Sequence, residues 1–334
     1  MKRQPMHFTL LYRSISLTVL VGLSPLASAL SLYADDQTQV DAKLLAAVGA
    51  FSSRENYSQS GTRSKGSSSW QESVFQYGLD LKHSTLGYGN TYASLNWVSS
   101  GTYGQGDPAG WTNGSERTTK IEDAYIGWRS AQLFPLLGTD GVDFSVGRQN
   151  IVIGDGFLVS GDALNMGKEV ADGRQNRGGA YYLTARKDFD QTVVLRLGGK
   201  QGWRSDLMWL KSDNPAQAKP EVAVGTLEHV AEQGTVGLTY LKVLDTDKEL
   251  ADLFYPERKG MKQYSVRAQG NAGVPNLFLS GEYAREQKDS GDENAWYLEA
   301  GWTFSDLPLK PVVNYRYSRF SEGYDPLFYG NGRA

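Results

Sequence analysis

The feature that most constrains this chain is an alternation of apolar and polar residues with period two, recurring in segments of about ten residues. Within residues 74–82, Phe75, Tyr77, Leu79 and Leu81 share one face, and Gln76, Gly78, Asp80 and Lys82 the other. Residues 264–269 set Tyr264, Val266 and Ala268 against Ser265, Arg267 and Gln269. Residues 296–304 set Trp296, Leu298, Ala300, Trp302 and Phe304 against Tyr297, Glu299, Gly301 and Thr303, and 312–318 set Val313, Tyr315 and Tyr317 against Asn314, Arg316 and Ser318. Successive side chains of a strand point to opposite faces, so this period dictates strands. No long segment carries the 3.6-residue repeat of a helix. The expectation is an all-β chain with about thirteen strands. They fall near 42–51, 72–83, 91–100, 119–130, 142–152, 179–187, 192–211, 221–230, 234–243, 261–270, 276–286, 294–304 and 311–320.

The connections alternate between short and long. Short ones are Ser84–Asn90, Ala131–Gly141, Asp188–Gln191, Ala231–Gln233, Asn271–Pro275 and Ser305–Lys310; long, polar ones are Ser52–Gln71, Gly101–Thr118, Ile153–Gly178 and Asp245–Gly260. Short turns at one end and long loops at the other are the asymmetry of an antiparallel transmembrane β-barrel of the bacterial outer membrane. Residues 192–211 admit two readings: two strands hinged at Gly198-Gly199, or one long strand. One long strand keeps every long loop at the same end. Its parity agrees, with Val193, Leu195, Leu197, Trp203, Leu207 and Trp209 opposite Arg196, Lys200, Arg204 and Asp206.

The N-terminus reads as a secretory signal. Lys2, Arg3 and Arg13 precede an apolar run from Ile15 to Leu26 that ends at Ala27-Ser28-Ala29, an A-x-A cleavage pattern. The run is shorter than the roughly 20 apolar residues a membrane helix needs. Residues 1–29 are therefore read as a signal peptide and 30–334 as an outer-membrane barrel domain. The signal removes three of the 34 Lys and Arg and none of the 37 Asp and Glu, leaving 31 basic against 37 acidic side chains. That balance argues against a nucleic-acid partner. The chain has no cysteine, which excludes thiol catalysis and Cys-ligated metals. Mean hydropathy is −0.44, a value compatible with a barrel because only alternate strand residues meet lipid. The 38 Gly, 19 Tyr, 12 Phe and 8 Trp suit twisted strands, tight turns and aromatic belts. Outer-membrane lipid and lipopolysaccharide are the expected surroundings.

A charge at the bilayer midplane costs about 2–4 kcal/mol, so the apolar face should look outward and the polar face line the lumen. The charged lumenal set is then Asp80, Lys82, Asp123, Arg129, Arg186, Arg196, Lys200, Arg204, Asp206, Arg267, Glu282, Glu299 and Arg316, eight basic and five acidic. A basic lumen in an acidic chain favours anions, and carboxylates among the cations let a substrate leave. The alternative is that these charges pair with one another and hold the wall and loops in place. Val146-Gly147-Arg148-Gln149-Asn150 runs from a strand into a Gly/Asp loop that contains Ile153-Gly154-Asp155-Gly156 and Gly161-Asp162-Ala163-Leu164-Asn165. Parity puts Arg148 on the lipid side of a regular strand, as an interfacial arginine near the headgroups; a bulge, or a position above the apolar band, would turn it inward. The loop fits either a constriction folded into the lumen or a surface loop.

Three segments carry a family resemblance: VGRQNIVIGDGFLVSGDALN at 146–165, the Tyr182–Leu195 stretch around RKDFDQTVVLRL, and GYDPLFYGNG at 323–332. They resemble the alginate-export family of bacterial outer-membrane proteins. The resemblance implies a closed barrel of about 18 strands with an Arg-rich lumen that passes an anionic uronate polysaccharide. It also implies periplasmic export partners. By motif match Arg148 is the foremost pore arginine, followed by Arg129 and Asp162. A bacterial barrel must close with an even strand number. The sequence stops in Gly330-Asn331-Gly332-Arg333-Ala334 after an odd-numbered predicted strand, which reads as a chain truncated at its C-terminus, about five strands short of that family.

The residues do not point to an enzyme. After the signal only His83 and His229 remain, both near predicted periplasmic strand ends, and there is no G-x-S-x-G, HExxH or Walker A pattern. Asp245, Asp247, Glu249 and Asp252, and Asp289, Asp292 and Glu293, cluster without the spacing of a calcium loop. No cofactor or metal site is expected. Two functions remain: a channel for anionic sugars or polysaccharide, and a non-transporting structural barrel or surface adhesin. A periplasmic all-β sugar-binding protein is third.

Overall fold

The computed structural model describes residues 26–58 and 65–330, with side chains described from Leu30 onward. Fourteen strands form one antiparallel sheet in chain order. They are β1 (Leu26–Ala34), β2 (Thr38–Ser53), β3 (Ser68–Thr85), β4 (Gly89–Gly104), β5 (Arg117–Arg129), β6 (Val142–Gln149), β7 (Phe189–Leu197), β8 (Gly202–Lys211), β9 (Glu221–Ala231), β10 (Gly234–Asp245), β11 (Lys262–Gly270), β12 (Leu277–Lys288), β13 (Gly291–Thr303) and β14 (Val312–Phe320). Every ladder joins chain neighbours, and among the described residues none joins β14 to β1. Among the described residues the one α-helix, α1 (Lys248–Phe254), sits in the connection after β10. No helix among the described residues is long and apolar enough to cross a membrane.

The sheet is inverted relative to a water-soluble protein. On β10, Val236, Leu238 and Tyr240 are exposed while Thr239 is buried. On β11, Tyr264 and Val266 are exposed and Gln263, Ser265 and Arg267 buried; on β12, Leu279 and Tyr283 are exposed and Ser280, Glu282 and Glu286 buried. The pattern recurs on β3, where Phe75, Leu79 and Leu81 face out. Keeping one such apolar side chain in water forfeits about 1.5–3 kcal/mol of burial. Summed over the sheet, only a hydrocarbon surround makes the arrangement favourable. The apolar-out, polar-in alternation is that of a transmembrane β-barrel wall.

Long connections gather at one end: 54–67, 105–116, 150–188, 212–220 and 246–261. The opposite end carries 35–37, 86–88, 130–141, 198–201, 232–233, 271–276 and 304–311. The exception is the tight turn 289–290, which lies at the long-loop end. The 150–188 connection does not stay outside. The Tyr182 ring lies tilted, 5.3 Å from both Phe51 of β2 and Trp70 of β3. Phe157 lies 5.0 Å from Tyr297 of β13, and Asp155 pairs with Arg316 of β14 at 3.0 Å. One connection thus touches strands near both edges of the sheet, so the sheet curls around it. Ile151, Ile153, Phe157, Leu158 and Val159 pack with Val194, Met208, Leu210, Val222, Val224, Leu241 and Val243 on the inner face. The segment after β14 joins this core through Leu327 and Phe328. It is fixed by a Val159–Phe328 bridge and by Asp325, which takes the Arg258 fork at 2.7 and 2.5 Å.

Three readings of the sequence change. Residues 192–211 are not one strand. Gly198 (φ 99°) and Gly202 (φ 82°) bracket a turn, and β7 and β8 pair from Gln191↔Lys211 to Leu197↔Ser205. Residues 179–187 are not a strand either but part of the inner loop. The two corrections cancel in parity, so the long loops still share one end. The third is β1, which brings the count to fourteen, so the argument from an odd count does not apply. Of the expected signal, 1–25 lie outside the described residues, and the backbone of Leu26–Ala29 pairs with Lys43–Ala46 of β2.

Candidate functional site

The charged residues of the inner side fall into separate groups. At the long-loop end, three arginines converge on Asp213, which lies in the β8–β9 connection. Arg148 reaches it at 3.0 Å, Arg177 at 3.2 Å and Arg186 at 3.2 Å. Each guanidinium has a second acid: Asp190 for Arg148 at 2.7 Å, Asp162 for Arg177 at 3.2 Å and Glu122 for Arg186 at 3.4 Å. All three arginine side chains are less than a tenth exposed, whereas Asp213 remains a third exposed. Arg148 turns inward because the β6–β7 register shifts between Gly147 and Gln149. Gly147 adopts φ 126°, and a Cβ there would come within 2.3 Å of the Ala124 carbonyl oxygen. The bulge therefore depends on glycine.

Burial and charge act in opposite directions on the acids of this cluster. Burial raises the Asp162 carboxyl to about 6 despite Arg177 beside it and the Ser212 hydroxyl donating to it at 2.7 Å. Burial also opposes ionisation of Asp213, but Arg177, Arg148 and Arg186 together hold it below the usual carboxylate range. Asp188 is pushed up by burial and by the neighbouring Glu122 and Asp123.

On the wall, Glu228 of β9 accepts from Arg204 of β8 and forms an ion pair with Arg267 of β11. Arg267 also donates to the Thr239 hydroxyl at 3.0 Å and stands opposite Glu282 in register. The inner loop presses on this group: a Cβ on Gly154 would lie 2.8 Å from the Arg267 Nε. Nearby, Arg316 lies over the Tyr297 ring at 3.6 Å, between Asp155 at 3.0 Å and Glu299 at 3.6 Å. Towards the short-turn end, Arg129 pairs with Asp143 at 3.0 Å and covers the Tyr92 ring. Arg196 stands opposite Asp206 in register.

The expected site residues thus do not form one ring. Arg148, Asp162 and Arg186 come together at the long-loop end; Arg204, Arg267, Glu282, Glu299 and Arg316 lie on the wall, around Glu228 and Asp155. Arg129 and Arg196 stand apart from that group, Arg129 opposite Asp143 and Arg196 opposite both Asp143 and Asp206 in register, and Lys200 is exposed in the β7–β8 turn rather than on a strand face. Arg186 is inward but on the loop, not on a strand. The expectation of a basic inner face does not hold for its buried part. Among the described residues, twelve carboxylates and five arginines are buried. The extra acids tie loops down through backbone N–H groups. Glu122 accepts from Lys187 and Asp188 at 2.6 and 3.0 Å, and Glu116 accepts from Asn113, Gly114 and Lys168 at 2.9–3.0 Å. Sequence reasoning missed Arg177 and Asp213, which lie in aperiodic loops where parity gives no direction.

The other candidates have local partners. The His83 ring nitrogen Nδ1 lies 3.0 Å from the Thr38 hydroxyl, and His229 packs edge-on against Trp203. Asp247 caps α1, accepting from the Leu250 N–H at 3.2 Å, and Asp245 pairs with Lys259 at 2.6 Å. Asp292 pairs with Arg285.

No protein-family model matches the sequence, and no curated protein matches it. Among solved structures the chain is similar to OccAB4 of Acinetobacter baumannii, 12% identical over 89% of this chain and 84% of that one, with a TM-score of 0.43. It is similar to a BenF-like porin from Pseudomonas fluorescens Pf-5, 13% identical over 90% and 86%, with a TM-score of 0.42. It is also similar to OmpT, an outer membrane protein of Vibrio cholerae, 13% identical over 87% and 89%, with a TM-score of 0.37.

Proposed function

We propose that this chain is a channel of the bacterial outer membrane whose passage is narrowed by the inward 150–188 loop. The observation that carries the reading is the inversion of the sheet. A wall with an apolar outside and a polar inside separates lipid from an aqueous interior, and a loop crossing that interior sets what passes. For the substrate we propose acidic sugars, alginate-type oligouronates included. The support is the resemblance of 146–165 and 186–197 to the alginate-export family, together with the convergence of Arg148, Arg177 and Arg186 at the long-loop end. Guanidinium forks match carboxylates bidentately. Export partners in the periplasm belong to the same proposal.

The test is planar-bilayer recording of the full chain in a salt gradient, with and without oligouronate. Anion-leaning channels blocked by the acidic sugar, and not by a neutral one, support the proposal. Channels indifferent to both leave a general porin. One observation favours a second, non-transporting reading: the apolar packing of the loop and the 321–330 segment against β7–β13. If that packing fills the cross-section, folded protein gives no channels. Arg196 is the wall position to reverse in such recordings. Arg267→Glu would instead set a new carboxylate against Glu228 and Glu282 and unsettle the fold.

A further inference from the structure

We infer that the outer face of β10 and β11, at the long-loop end, is a seat for the phosphate of an outer-leaflet lipid, with Lys242 and Lys262 as its two cations. The two lysines stand directly opposite each other in the ladder. Cβ atoms so related are about 4.5–5.5 Å apart, and like charges there repel. Both side chains belong to the lipid-facing set. Leu241 and Val243 flank Lys242 along its strand and are buried on the inner face, as are Met261 and Gln263 beside Lys262. The next residues across the ladders are uncharged, Ala223 of β9 beside Lys242 and Gln287 of β12 beside Lys262. Among the described residues neither lysine forms an ion pair. An anion that bridges two such ammonium groups turns their repulsion into attraction.

What lies below the lysines makes the anion a lipid's. Tyr240 and Tyr264 are the next outward residues on the same strands, again directly opposite, with ring centroids 5.1 Å apart. Leu238 and Val266 follow, both exposed. Aromatic side chains at the end of an apolar stripe mark the border between hydrocarbon and headgroups, so the lysines stand at headgroup level. The same order of aromatic and cation, two residues apart, recurs as Tyr283 and Arg285 on β12, Trp209 and Lys211 on β8, and Tyr317 and Arg319 on β14. Elsewhere the cation is matched or single. Arg285 pairs with Asp292, Lys211 stands opposite Glu221, and Arg319 stands opposite Trp296. Only β10 and β11 set two unmatched cations side by side. The long loops of an outer-membrane barrel face the cell exterior, where lipopolysaccharide carries phosphate above its acyl chains. The phosphate would sit between the two ammonium groups, and an acyl chain would run down over Tyr240, Leu238, Tyr264 and Val266. The inference rests on the sheet facing lipid with its apolar side and not on a conducting lumen.

The experiment is native mass spectrometry of the full chain, refolded in detergent, with lipid A, with lipid A stripped of its phosphates, and with lipid A in excess inorganic phosphate. Lipid A should be retained, the stripped lipid should be largely lost, and inorganic phosphate should not displace lipid A. Lys242→Ala/Lys262→Ala should weaken lipid A about thirtyfold, the loss of two cations at a lipid surface. Lys242→Arg/Lys262→Arg should retain it. The charge-matched pair Lys211→Ala/Arg319→Ala should retain most of it, which separates a seat from diffuse surface charge. Heat-resistant migration on gels shows that each variant is folded. Equal retention of the stripped lipid by the natural protein would overturn the inference by reducing it to apolar contact. Displacement by inorganic phosphate would make the ligand a free anion. An unchanged affinity in Lys242→Ala/Lys262→Ala, or an equal loss in Lys211→Ala/Arg319→Ala, would remove the seat from β10 and β11.

Discussion

At the residue scale, Asp213 decides how the inner loop is held. Arg177 and Arg186 belong to that loop and Arg148 to the wall, and one carboxylate joins all three. Removing the charge from a buried network costs about 3–5 kcal/mol, because the partners stay buried. Asp213→Asn should therefore loosen residues 162–188, read as faster amide exchange there with β10 and β11 unchanged. The pH dependence has a definite sign. The arginines hold the folded Asp213 below its ordinary value, near 3.9 for an aspartate. Its contribution is complete above that value and is lost as pH falls through the folded one. Protection of 162–188 beyond the intrinsic rate should fall below about pH 4 in the natural protein. In Asp213→Asn that loss should already be present at pH 6. Equal protection in both proteins across the range would remove Asp213 from this role. Arg148 was half legible in sequence. Parity placed it outward, to be turned by a bulge or a position above the apolar band; Gly147, at a φ that disfavours any side chain, is the residue that makes the bulge.

At the element scale, long strands with strict alternation were readable, because one face is apolar throughout. β11, β12 and β13 match their expected spans within a few residues. The failures came where side chains do not report direction. Gly198-Gly199 continued the parity of 192–211, so the turn was hidden by glycines that fit either a strand or a hairpin. Residues 179–187 alternate like a strand but are anchored singly, Leu183 N–H by Glu72 and the Arg186 backbone by Asn165. The inner loop is an element in its own right, pinned at its tip by Asp155 on Arg316. Arg316→Ala should loosen that tip against β14 and raise single-channel conductance, and heat-resistant gel migration checks that the protein still folds once Asp155 and Glu299 have lost their shared cation. A conductance equal to that of the natural protein would mean the tip does not lie across the passage.

At the scale of the whole molecule, the account stands on the two-sidedness of the sheet. The sequence showed the alternation, and the structure settles which side each set faces, from burial rather than from the cost of charge in lipid. What sequence could not supply is the inner apolar floor. Val194, Leu210, Val222, Val224, Leu241 and Val243 sit on the polar parity of their strands, and only the returning loop and the 321–330 segment explain them. The most direct test uses the absence of cysteine from the chain, which lets a single introduced cysteine carry the one spin label in the protein. Labels at Val236→Cys, Leu238→Cys and Tyr240→Cys, in protein refolded into lipid vesicles, should be reached by oxygen and shielded from a water-soluble nickel relaxant. Labels at Thr235→Cys, Gly237→Cys and Thr239→Cys should escape the oxygen signal, giving an alternation of period two along β10. Uniform access along the strand, or nickel reaching the first set and oxygen the second, would contradict a sheet that faces lipid with its apolar side.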